Sequence, residues 1–480
     1  MAEISTKLDH TVSVLRRILT PLLLATIAGT AHASSAAEFA LPNGLRVIVR
    51  ERHGAPLIAM ELWVRAGAQA ESAGEFGAAH FLEHTLFKGT NTRNVGEADI
   101  AIENLGATLN ASTGPDYARF YTNVPSGHAA EALKVLADVV RNATLPAQEI
   151  ERERAVIINE LAQRRSDPES LLIDRLYALA YRDHAYGRFP GGTEPTIRMQ
   201  TRESLSTFYR RTYRPERCTL VLAGDLTVER AHQIAEESFG DWTVQITAAG
   251  GAEAPKESPH NLITSSPHQI SPSHPESGAG GQTVEAADVA LPIIGIAYRG
   301  PAASENSSVC AAQIIVALLG RSDIGGRLAV PQLSGTETRV SFGPRLNSSL
   351  LVVSTTLPIT TVQRARSRSD FTLEVKAQQE SVRAILDGLK SAPPTASELQ
   401  AAKNALIGRM IFEDETNTGI AFATGIASVT SGLAPDEWRA AIERTSVTEV
   451  REFIQRWLDP AHRVELVLVP AARRGESSAQ

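Results

Sequence analysis

The sequence predicts an α+β protein made of two homologous α/β halves, each a mainly antiparallel sheet with helices packed on one face. Three observations lead to this prediction. The chain has 480 residues, which is too long for one compact core. Strand-like and helix-like segments follow one another in mixed order along its first half. The same order then begins again after a segment rich in Pro, Ser and Gly, which indicates duplicated domains rather than a solenoid.

The composition narrows the kinds of chemistry available. Hydrophobic residues make up 43% of the chain and charged residues 21%, as in globular rather than disordered or collagenous proteins. The formal net charge of −7 offers no basic surface for nucleic acid. With only Cys218 and Cys310, the chain can build neither a disulfide scaffold nor a cysteine-rich metal site. Catalysis or metal binding must therefore come from His, Asp, Glu and Ser side chains.

Residues 1–33 have the pattern of a signal peptide. Two arginines precede an apolar run from Ile18 to Ala31, and Ala31 and Ala33 place small residues at the two positions that define a cleavage site. A membrane anchor is the alternative, but the run is shorter than the roughly 20 residues that span a bilayer, and Pro21 and Gly29 interrupt it. We therefore expect a periplasmic protein with no membrane span in its mature chain.

The first half, residues 34–244, begins with strands. An Asn43-Gly44 turn separates β-rich segments at 38–41 and 45–49, and a third such segment runs over 58–64. Helical periodicity follows, and an apolar strand at 219–224 closes the half. The expected helices cover 75–88, 96–105, 127–141, 147–165 and 201–212.

A change in composition separates the two halves. Prolines alternate with Ser, Gly and His over residues 245–287 without hydrophobic periodicity, which predicts a linker. In the second half, residues 288–480, several residues of the first half recur at matching positions before an apolar strand or at the start of a helix. The matched pairs are Phe208 with Phe453, Arg211 with Arg456, Pro215 with Pro460 and Glu149 with Glu398.

His80, Glu83 and His84 form the clearest chemical pattern in the chain. On a helix, positions i, i+3 and i+4 share one face, so the two imidazoles and the carboxylate converge. Two neutral imidazoles suit Zn²⁺, which as a catalytic ion takes three protein ligands and leaves one position for water. The Glu83 carboxylate beside that water is placed to take its proton, and His-x-x-Glu-His is the inverted order found in one class of zinc enzymes. The alternative is a chance pattern on a solvated helix.

A third ligand is expected from the segment Glu151–Glu160. Glu153 and Glu160 are separated by two helical turns on one face. One of these carboxylates can bind the metal, while the other can orient a histidine ligand through a hydrogen bond. Their charged neighbours Arg152 and Arg154 are typical of a solvated helix face.

With these residues in place, the chain resembles the pitrilysin and insulinase-type metallopeptidases, which include mitochondrial processing peptidase and its bacterial relatives. The resemblance covers about residues 38–470 and is strongest before 225. It implies two α/β halves that close over a cavity as a clamshell. It also implies His80, His84 and Glu160 as ligands of one zinc ion per chain, Glu83 as catalytic base and Glu153 as supporting acid. The residues that carry it are His80–Thr90, Asn159-Glu160, Tyr186-Gly187-Arg188 and Thr201–Pro215.

The resemblance further implies a mechanism and a place for a peptide. Zinc would lower the pKa of bound water towards about 7, Glu83 would take its proton, and hydroxide would attack the scissile carbonyl. Glu83 could then return the proton to the leaving amine. The family's Asn-Ala element looks like Asn110-Ala111, where an extended peptide would add to a sheet edge. A plain turn at Asn110 is the alternative.

The second half is expected to bind no zinc and to lack one donor. In the helix alignment, Arg409 takes the place of Glu160, and an arginine cannot bind a metal. In the family, the second half brings an arginine and a tyrosine over the zinc to hold the substrate carbonyl. Arg327, Arg339 or Arg345 could supply the cation, but no tyrosine follows Tyr298. We therefore expect a dimer in which a related subunit supplies the missing residues, with a homodimer of modest activity as the alternative.

The sequence therefore predicts a zinc-dependent endopeptidase that cleaves peptides or unfolded segments. Two other functions fit the same residues. A structural subunit of a hetero-oligomeric peptidase complex would need none of the metal ligands, whereas here all of them are present. A zinc-dependent binding module would hold peptides without cleaving them.

Overall fold

The computed structural model describes residues 36–243, 282–320, 336–364 and 367–471. The predicted signal peptide, Arg327 and all but the end of the predicted linker lie outside these residues, so the export signal stays a prediction. The described residues from Ala37 onward form one compact unit. Within the described part of the chain, no helix combines the length and apolarity that a membrane span requires.

The first half is built on a six-stranded sheet with strand order β1-β2-β6-β3-β5-β4. β6 runs parallel to β2, whereas the pairings of β3 with β5 and β6, and of β4 with β5, are antiparallel. β4 is therefore an edge strand with one free side. The strands are β1 (Ala36–Ala40), β2 (Arg46–Glu51), β3 (Leu57–Val64), β4 (Leu109–Thr113), β5 (Ala118–Pro125) and β6 (Cys218–Gly224).

Eight helices are described in the first half, and those that the sequence predicts are present to within a few residues. They are α1 (Ala78–Thr85), α2 (Glu97–Glu103), α3 (Ala129–Arg141), α4 (Ala147–Ser166), α5 (Pro168–Ala180), α6 (Glu194–Met199), α7 (Arg202–Thr212) and α8 (Val228–Phe239).

The second half repeats this plan on a five-stranded sheet with strand order β7-β11-β8-β10-β9. β7 (Gln282–Ala287), β8 (Ile293–Gly300), β9 (Glu337–Gly343), β10 (Ser349–Thr356) and β11 (Arg463–Pro470) are its strands. Its helices are α9 (Asn306–Leu319), α10 (Ile359–Arg364), α11 (Arg368–Ser391), α12 (Ala396–Asp414), α13 (Asn417–Thr430), α14 (Pro435–Arg444) and α15 (Val447–Trp457).

The two sheets have matching topologies, which confirms the predicted duplication. In each, the last strand of the half runs parallel to its first neighbour and antiparallel to its second, as β6 does between β2 and β3 and β11 does between β7 and β8. The mainly antiparallel sheets with their own helices on one face are also as predicted.

The other face of each sheet is covered by a helix of the opposite half. In the first sheet, Trp63 and Val221 pack with Ile420 and Ala421 of α13. In the second sheet, the strands pack with Leu172 and Leu176 of α5. Because α5 and α13 exchange places in this way, each sheet packs against a helix of the other half, which is consistent with the predicted clamshell arrangement.

One boundary differs from the prediction. Residues 282–287 were assigned to the linker, but they form β7, which pairs in parallel with β11 along its full length. Their own pattern of Thr, Val, Glu and Ala gives only a weak strand signal, and Val284 is exposed. The strand therefore depends on its partner, and the linker is shorter than expected.

Candidate metal centre

Helices α1 and α4 bring His80, His84 and Glu160 together. α1 buries Phe81 and Leu82 in the core of the first half, so the face that carries the two histidines turns towards α4. Glu160 Oε2 lies 3.3 Å from His84 Nε2 and 3.8 Å from His80 Nε2. The potential ligand atoms of the three residues all lie within 4.8 Å of one another. No other such group of three is present in the described ranges.

This spacing fits a tetrahedral zinc ion. Ligand atoms about 2.0–2.1 Å from zinc stand roughly 3.3 Å apart, which the 3.3 Å from Glu160 to His84 matches and the 3.8 Å from Glu160 to His80 slightly exceeds. Burial, with His84 nearby, lowers the pKa of His80 to about 4, so this imidazole is neutral and able to bind a metal at neutral pH. The donor set of two imidazoles and one carboxylate is the kind that leaves a fourth position for water.

Glu153 contacts the cluster from behind the histidine. Its Oε2 lies 3.0 Å from His84 Nδ1, and its Oε1 lies 3.0 Å from Lys88 Nζ. The hydrogen bond fixes the orientation of the His84 ring, with Nε2 directed towards Glu160. Of the two carboxylates left open by sequence spacing, Glu160 is thus the one in the cluster and Glu153 the one that orients a histidine.

Glu83 lies beside the cluster in a largely desolvated position. Burial and the nearby Glu160 raise the pKa of its carboxyl group, although the hydroxyl of Thr113 and the imidazole of His84 partly oppose this. A carboxyl group whose pKa is raised towards the working pH both accepts and releases protons readily. Glu83 is therefore placed and tuned for proton transfer beside the three potential ligands.

The start of α1 is held by a buried carboxylate that sequence reasoning missed. Glu71 Oε1 accepts hydrogen bonds from the backbone N–H groups of Gly77 at 3.1 Å and Ala79 at 3.0 Å. Gly77 has a φ of 90°, and a Cβ there would meet Ile197 and the backbone at Gly192. Glu71 and Gly77 together fix the position and direction of the first turn of α1, which carries His80.

The predicted peptide element lies on the free edge of the first sheet. Asn110 and Ala111 are both in β4, so the alternative of a turn at Asn110 is wrong. In the antiparallel pairing of β4 with β5, Asn110 lies opposite Tyr121 and Ala111 lies opposite Phe120. Thr113, at the end of the same strand, is the residue whose hydroxyl faces Glu83. The metal cluster and the free edge are therefore adjacent.

Two of the three candidate cations of the second half, Arg339 and Arg345, lie in the described residues, and both are engaged away from the cluster. Arg339 is paired with Glu169 and Glu337, and Arg345 stacks on the rings of Tyr177 and Tyr186 at 4.0 and 5.0 Å. Tyr298 lies in β8, where its hydroxyl accepts a hydrogen bond from Arg463.

Lys88, like Glu71, was not predicted, but the sequence contains a signal for it. Lys88 follows His84 by four residues within the conspicuous motif, a spacing that places both on one side of the helix end. Glu71 has no comparable signal, because it reaches the helix from a loop whose path the sequence does not reveal.

Comparison with family models gives two adjacent matches. Residues 46–193 match the model described as Insulinase (Peptidase family M16). Residues 200–406 match the model described as Peptidase M16 inactive domain. The first match contains every residue of the metal cluster, and the second begins just before α7 and ends within α12 of the second half.

Individual relatives agree with these matches. An uncharacterized zinc protease of Mycobacterium leprae is 35% identical over 210 residues, which cover 44% of this chain and 47% of that protein. The mitochondrial-processing peptidase subunit beta of Rattus norvegicus is 36% identical over 201 residues, covering 42% of this chain and 41% of that one. The chain thus matches less than half of the length of these curated relatives.

A solved structure extends the likeness of fold to both halves. The crystal structure of a protease from Helicobacter pylori superposes with a TM-score of 0.78 at 20% identity, covering 91% of this chain and all of that one.

Proposed function

The chain belongs to the insulinase-type peptidase family M16, and on this basis we propose that it is a zinc-dependent endopeptidase acting on peptides or unfolded segments. The observation that carries the proposal is the cluster of His80, His84 and Glu160 with Glu83 beside it. The names of relatives, a zinc protease and a processing peptidase subunit, support the same class of reaction.

In the proposed site, His80, His84 and Glu160 hold one zinc ion per chain. Bound there, zinc would supply a Lewis acid that polarises a carbonyl and makes water a stronger acid. Glu153 keeps His84 in the tautomer that offers Nε2 as ligand, since its carboxylate accepts a hydrogen bond from Nδ1–H. Lys88 balances the charge of Glu153 and so keeps that carboxylate in place.

Glu83 moves the proton in this proposal. Its carboxylate takes a proton from water as the water attacks the scissile carbonyl, and returns it to the amine that leaves. The raised pKa of this carboxyl group favours both steps, because it makes the group a stronger base before the transfer and a usable acid after it. The proximity of Thr113 places the substrate edge within reach of the same carboxylate.

The substrate would bind as an added strand on β4. The free edge offers backbone N–H and C=O groups to an extended peptide of almost any sequence. Because Thr113 is near Glu83, a peptide on this edge carries its backbone past the metal cluster. This mode of binding suits unfolded segments rather than folded proteins.

A peptide-binding or structural subunit without turnover is the second candidate. The observation in its favour is that Arg339 and Arg345 are engaged elsewhere and that no tyrosine follows Tyr298, so the second half offers few donors for a developing oxyanion. The variants below separate this candidate from the first.

We expect Glu83→Gln to keep zinc and lose peptide hydrolysis, because Glu83 transfers a proton and does not bind the metal. Loss of such a group typically costs 10²–10⁴-fold in kcat. His80→Ala and Glu160→Gln should instead lose the metal, since each removes one of three ligands. Zinc content by plasma mass spectrometry and cleavage of quenched fluorescent peptides, with and without chelator, are the measurements. The wild type should contain one zinc per chain.

Glu151→Gln is the matched control, because Glu151 is on the same helix α4 but exposed and paired with Arg154. It should keep both zinc and activity. Normal turnover in Glu83→Gln would refute the proposed mechanism. Full zinc content with no cleavage of any peptide by the wild type would favour the non-catalytic candidate.

We also propose that the chain is exported to the periplasm. This rests on the pattern of residues 1–33 alone. Cell fractionation, with the mass of the N-terminal peptide of the recovered protein, tests it, because a chain confined to the cytoplasmic fraction with residues 1–33 intact would contradict the proposal.

A further inference from the structure

A cavity of about 370 Å³ in the first half is lined in part by α4, the helix that carries Glu160. Its walls continue the two helices that carry the potential ligands. Leu161 directly follows Glu160 on α4, and Phe76 lies one residue before the Gly77 that begins α1. Arg164, four residues after Glu160, lies about one helical turn, roughly 5.4 Å, further along α4. Measured along α4, the Arg164 wall of the cavity is therefore about two residues of an extended peptide from Glu160.

A series of contacts connects the end of β4 with the cavity wall. After β4 ends at Thr113, the carbonyls of Gly114 and Pro115 accept hydrogen bonds from Ala68 and Gln69 at 3.3 and 2.8 Å. The turn Ala68–Ala70 in turn packs against the turn Ala185–Gly187, which immediately precedes Arg188 in the cavity wall. These contacts connect the end of β4 with the backbone segment that carries Arg188.

Four arginines line the cavity, and three of them have carboxylate partners. Arg164 makes two hydrogen bonds of 2.8 Å with Asp174, which also lines the cavity. Arg175 lies 3.3 Å from Glu285 of β7, and Arg165 lies 4.0 Å from Glu194. Glu194 also pairs with Arg198. Arg188 is therefore the arginine of the cavity wall that makes no such ion pair among the described residues.

Arg188 has no hydrogen-bond acceptor for its side chain among the described residues. Its guanidinium lies 3.8 Å from the centre of the Phe76 ring, and its Nε is buried without a partner. The nearby carboxylate is Glu71, whose Oε1 already accepts two backbone hydrogen bonds. Burial raises the pKa of Glu71 to about 7, so at neutral pH it is only a partial counter-charge for Arg188.

The backbone holds Arg188 in place. Gly187 directly before it is packed so closely that an added Cβ would lie 2.2 Å from the carbonyl oxygen of Tyr181. Tyr186 donates a hydrogen bond of 2.6 Å to Asp116, and both are buried. A guanidinium held in this way loses little conformational entropy when it binds an anion, which favours affinity.

We propose that this cavity is a substrate subsite in which Arg188 binds a carboxylate of the peptide, either an Asp or Glu side chain two to three positions from the scissile bond or the terminal carboxylate. A carboxylate fits the fork of a guanidinium in a bidentate pair, and the ring of Phe76 covers one face of the Arg188 guanidinium. The inference rests on the proposed peptidase function, because it assumes a peptide on β4.

The competing explanation is that Arg188 only balances Glu71 and stabilises the start of α1. Both explanations predict that loss of Arg188 harms the protein, so activity alone does not separate them. Discrimination between acidic and neutral peptides does, because a purely structural arginine cannot change it.

The experiment uses the full zinc-loaded chain and peptide pairs that differ only by Glu against Gln, scanned over three positions on each side of the scissile bond. A second pair differs by a free or amidated C-terminus, which distinguishes a side-chain carboxylate from a terminal one. kcat/KM is measured for the wild type, Arg188→Gln, Arg188→Lys and Arg198→Gln. Arg198 is exposed, paired with Glu194 and not part of the cavity wall, so its variant is the matched control.

We expect the wild type to prefer the acidic peptide at one position by about tenfold or more, as charge-assisted pairing allows. The preference should disappear in Arg188→Gln, recover in part in Arg188→Lys and persist in Arg198→Gln, with the difference in KM rather than kcat. Equal rates for Glu and Gln at every position and for both termini would overturn the inference, as would a preference that survives in Arg188→Gln.

Binding separates this inference from the proposed function. The zinc-loaded Glu83→Gln chain is titrated with the same labelled peptides, and Kd is read from fluorescence anisotropy. Tighter binding of the acidic peptide that is lost with Arg188→Gln would support the subsite even if the wild type cleaved nothing, in which case only the proposed catalysis fails. Cleavage without any preference in rate or in Kd would leave the peptidase and remove the subsite.

Discussion

At the scale of single residues, Glu71 stabilises the start of α1, the helix that carries His80 and His84. Its carboxylate accepts from two backbone N–H groups at the start of α1, which are donors that a helix cannot satisfy internally. Burial is the main cause that raises its pKa to about 7, even though those two hydrogen bonds and Arg188 oppose the rise. Glu71 thus stabilises the start of α1 through its hydrogen bonds, while burial makes its ionised form unfavourable.

This combination predicts a pH dependence of stability. The ordinary pKa of a glutamate is 4.5, and Glu71 in the folded state titrates at about 7. Between these values the folded state holds a proton that the unfolded state has lost, so the free energy of unfolding falls as the pH rises from about 4.5 to 7. The loss from this group is at most about 3 kcal/mol. Glu71→Gln keeps an acceptor oxygen without the charge and should remove this part of the decline.

Urea unfolding of the chelator-treated protein between pH 5 and 8 measures the effect. Glu151→Gln, which removes an exposed carboxylate, should retain the wild-type slope with pH. The same slope in Glu71→Gln as in the wild type would show that Glu71 does not titrate in this range.

The sequence predicts the site residues that lie on helices, because their spacing is local, and it misses those that lie on loops. His80, Glu83 and His84 are brought together by helical periodicity, and Glu153 and Glu160 by the same rule on α4, so local spacing is sufficient. Glu71 and Arg188 reach the site through loops, and their positions depend on contacts with distant residues such as Gly77 and Phe76. No periodicity in the sequence records such contacts.

At the scale of secondary-structure elements, the exchange of α5 and α13 between the halves was not predicted. Each helix follows a long helix of its own half and then packs on the other sheet. In one packing the large side chain is on the sheet and the glycine is on the helix, and in the other packing the reverse holds. On the first sheet, Trp63 of β3 meets Gly425 of α13, whereas on the second sheet Gly295 of β8 meets Leu172 and Leu176 of α5.

This complementarity makes Gly425 intolerant of a side chain. A Cβ there would lie 1.9 Å from Nε1 of Trp63, and that indole is fixed by full burial and by a 2.9 Å hydrogen bond to Glu61. We expect Gly425→Ala to lower the free energy of unfolding by about 1–3 kcal/mol, the usual cost of overpacking. Thermal and urea denaturation are the measurements.

Gly408 of α12 provides the control, because an added Cβ there would meet no atom within 4 Å. Gly408→Ala should leave stability unchanged or raise it by up to about 1 kcal/mol, since alanine favours a helix. An equally mild effect at both positions would mean that the fit between α13 and the first sheet does not depend on the glycine.

At the scale of the whole molecule, the duplication has produced unequal halves. α12 of the second half matches α4 in sequence, yet it carries Arg409 and Ala402 where α4 carries Glu160 and Glu153. Arg409 lies 3.6 Å from Glu413 on its own helix, and Ala402 is buried in the core. At these two positions, α12 thus keeps the helix of the first half without the side chains that Glu153 and Glu160 contribute.

The hairpin between β9 and β10 shows what the second half contributes instead. Leu346 and Asn347 donate backbone hydrogen bonds of 3.1 Å to Asp116 and to the hydroxyl of Tyr186 in the first half. Arg345 stacks on Tyr177 and Tyr186 in the same contact. This arginine, one of the candidates for the oxyanion partner, therefore joins the halves.

The last prediction concerns the missing donor. Burial is the main cause that raises the pKa of Tyr298 to about 12, and its hydroxyl bonds to Arg463 within the second sheet, so this last tyrosine of the chain is committed to the fold. Arg339 is held by Glu169. The family resemblance therefore predicts that a related subunit supplies an arginine and a tyrosine across the site.

Mixing the zinc-loaded chain with that subunit should therefore raise kcat for a peptide by about 10²–10³-fold, the usual value of a donor to a developing oxyanion. Peptide cleavage across a titration of the subunit, with the mass of the complex from light scattering, makes the measurement. The rate should saturate at one subunit per chain, because each metal cluster needs one set of donors. A matched variant of the subunit with its tyrosine replaced by phenylalanine should still bind and fail to activate. If the isolated chain, shown to be monodisperse, already has the full rate, its own residues complete the site and the partner is unnecessary.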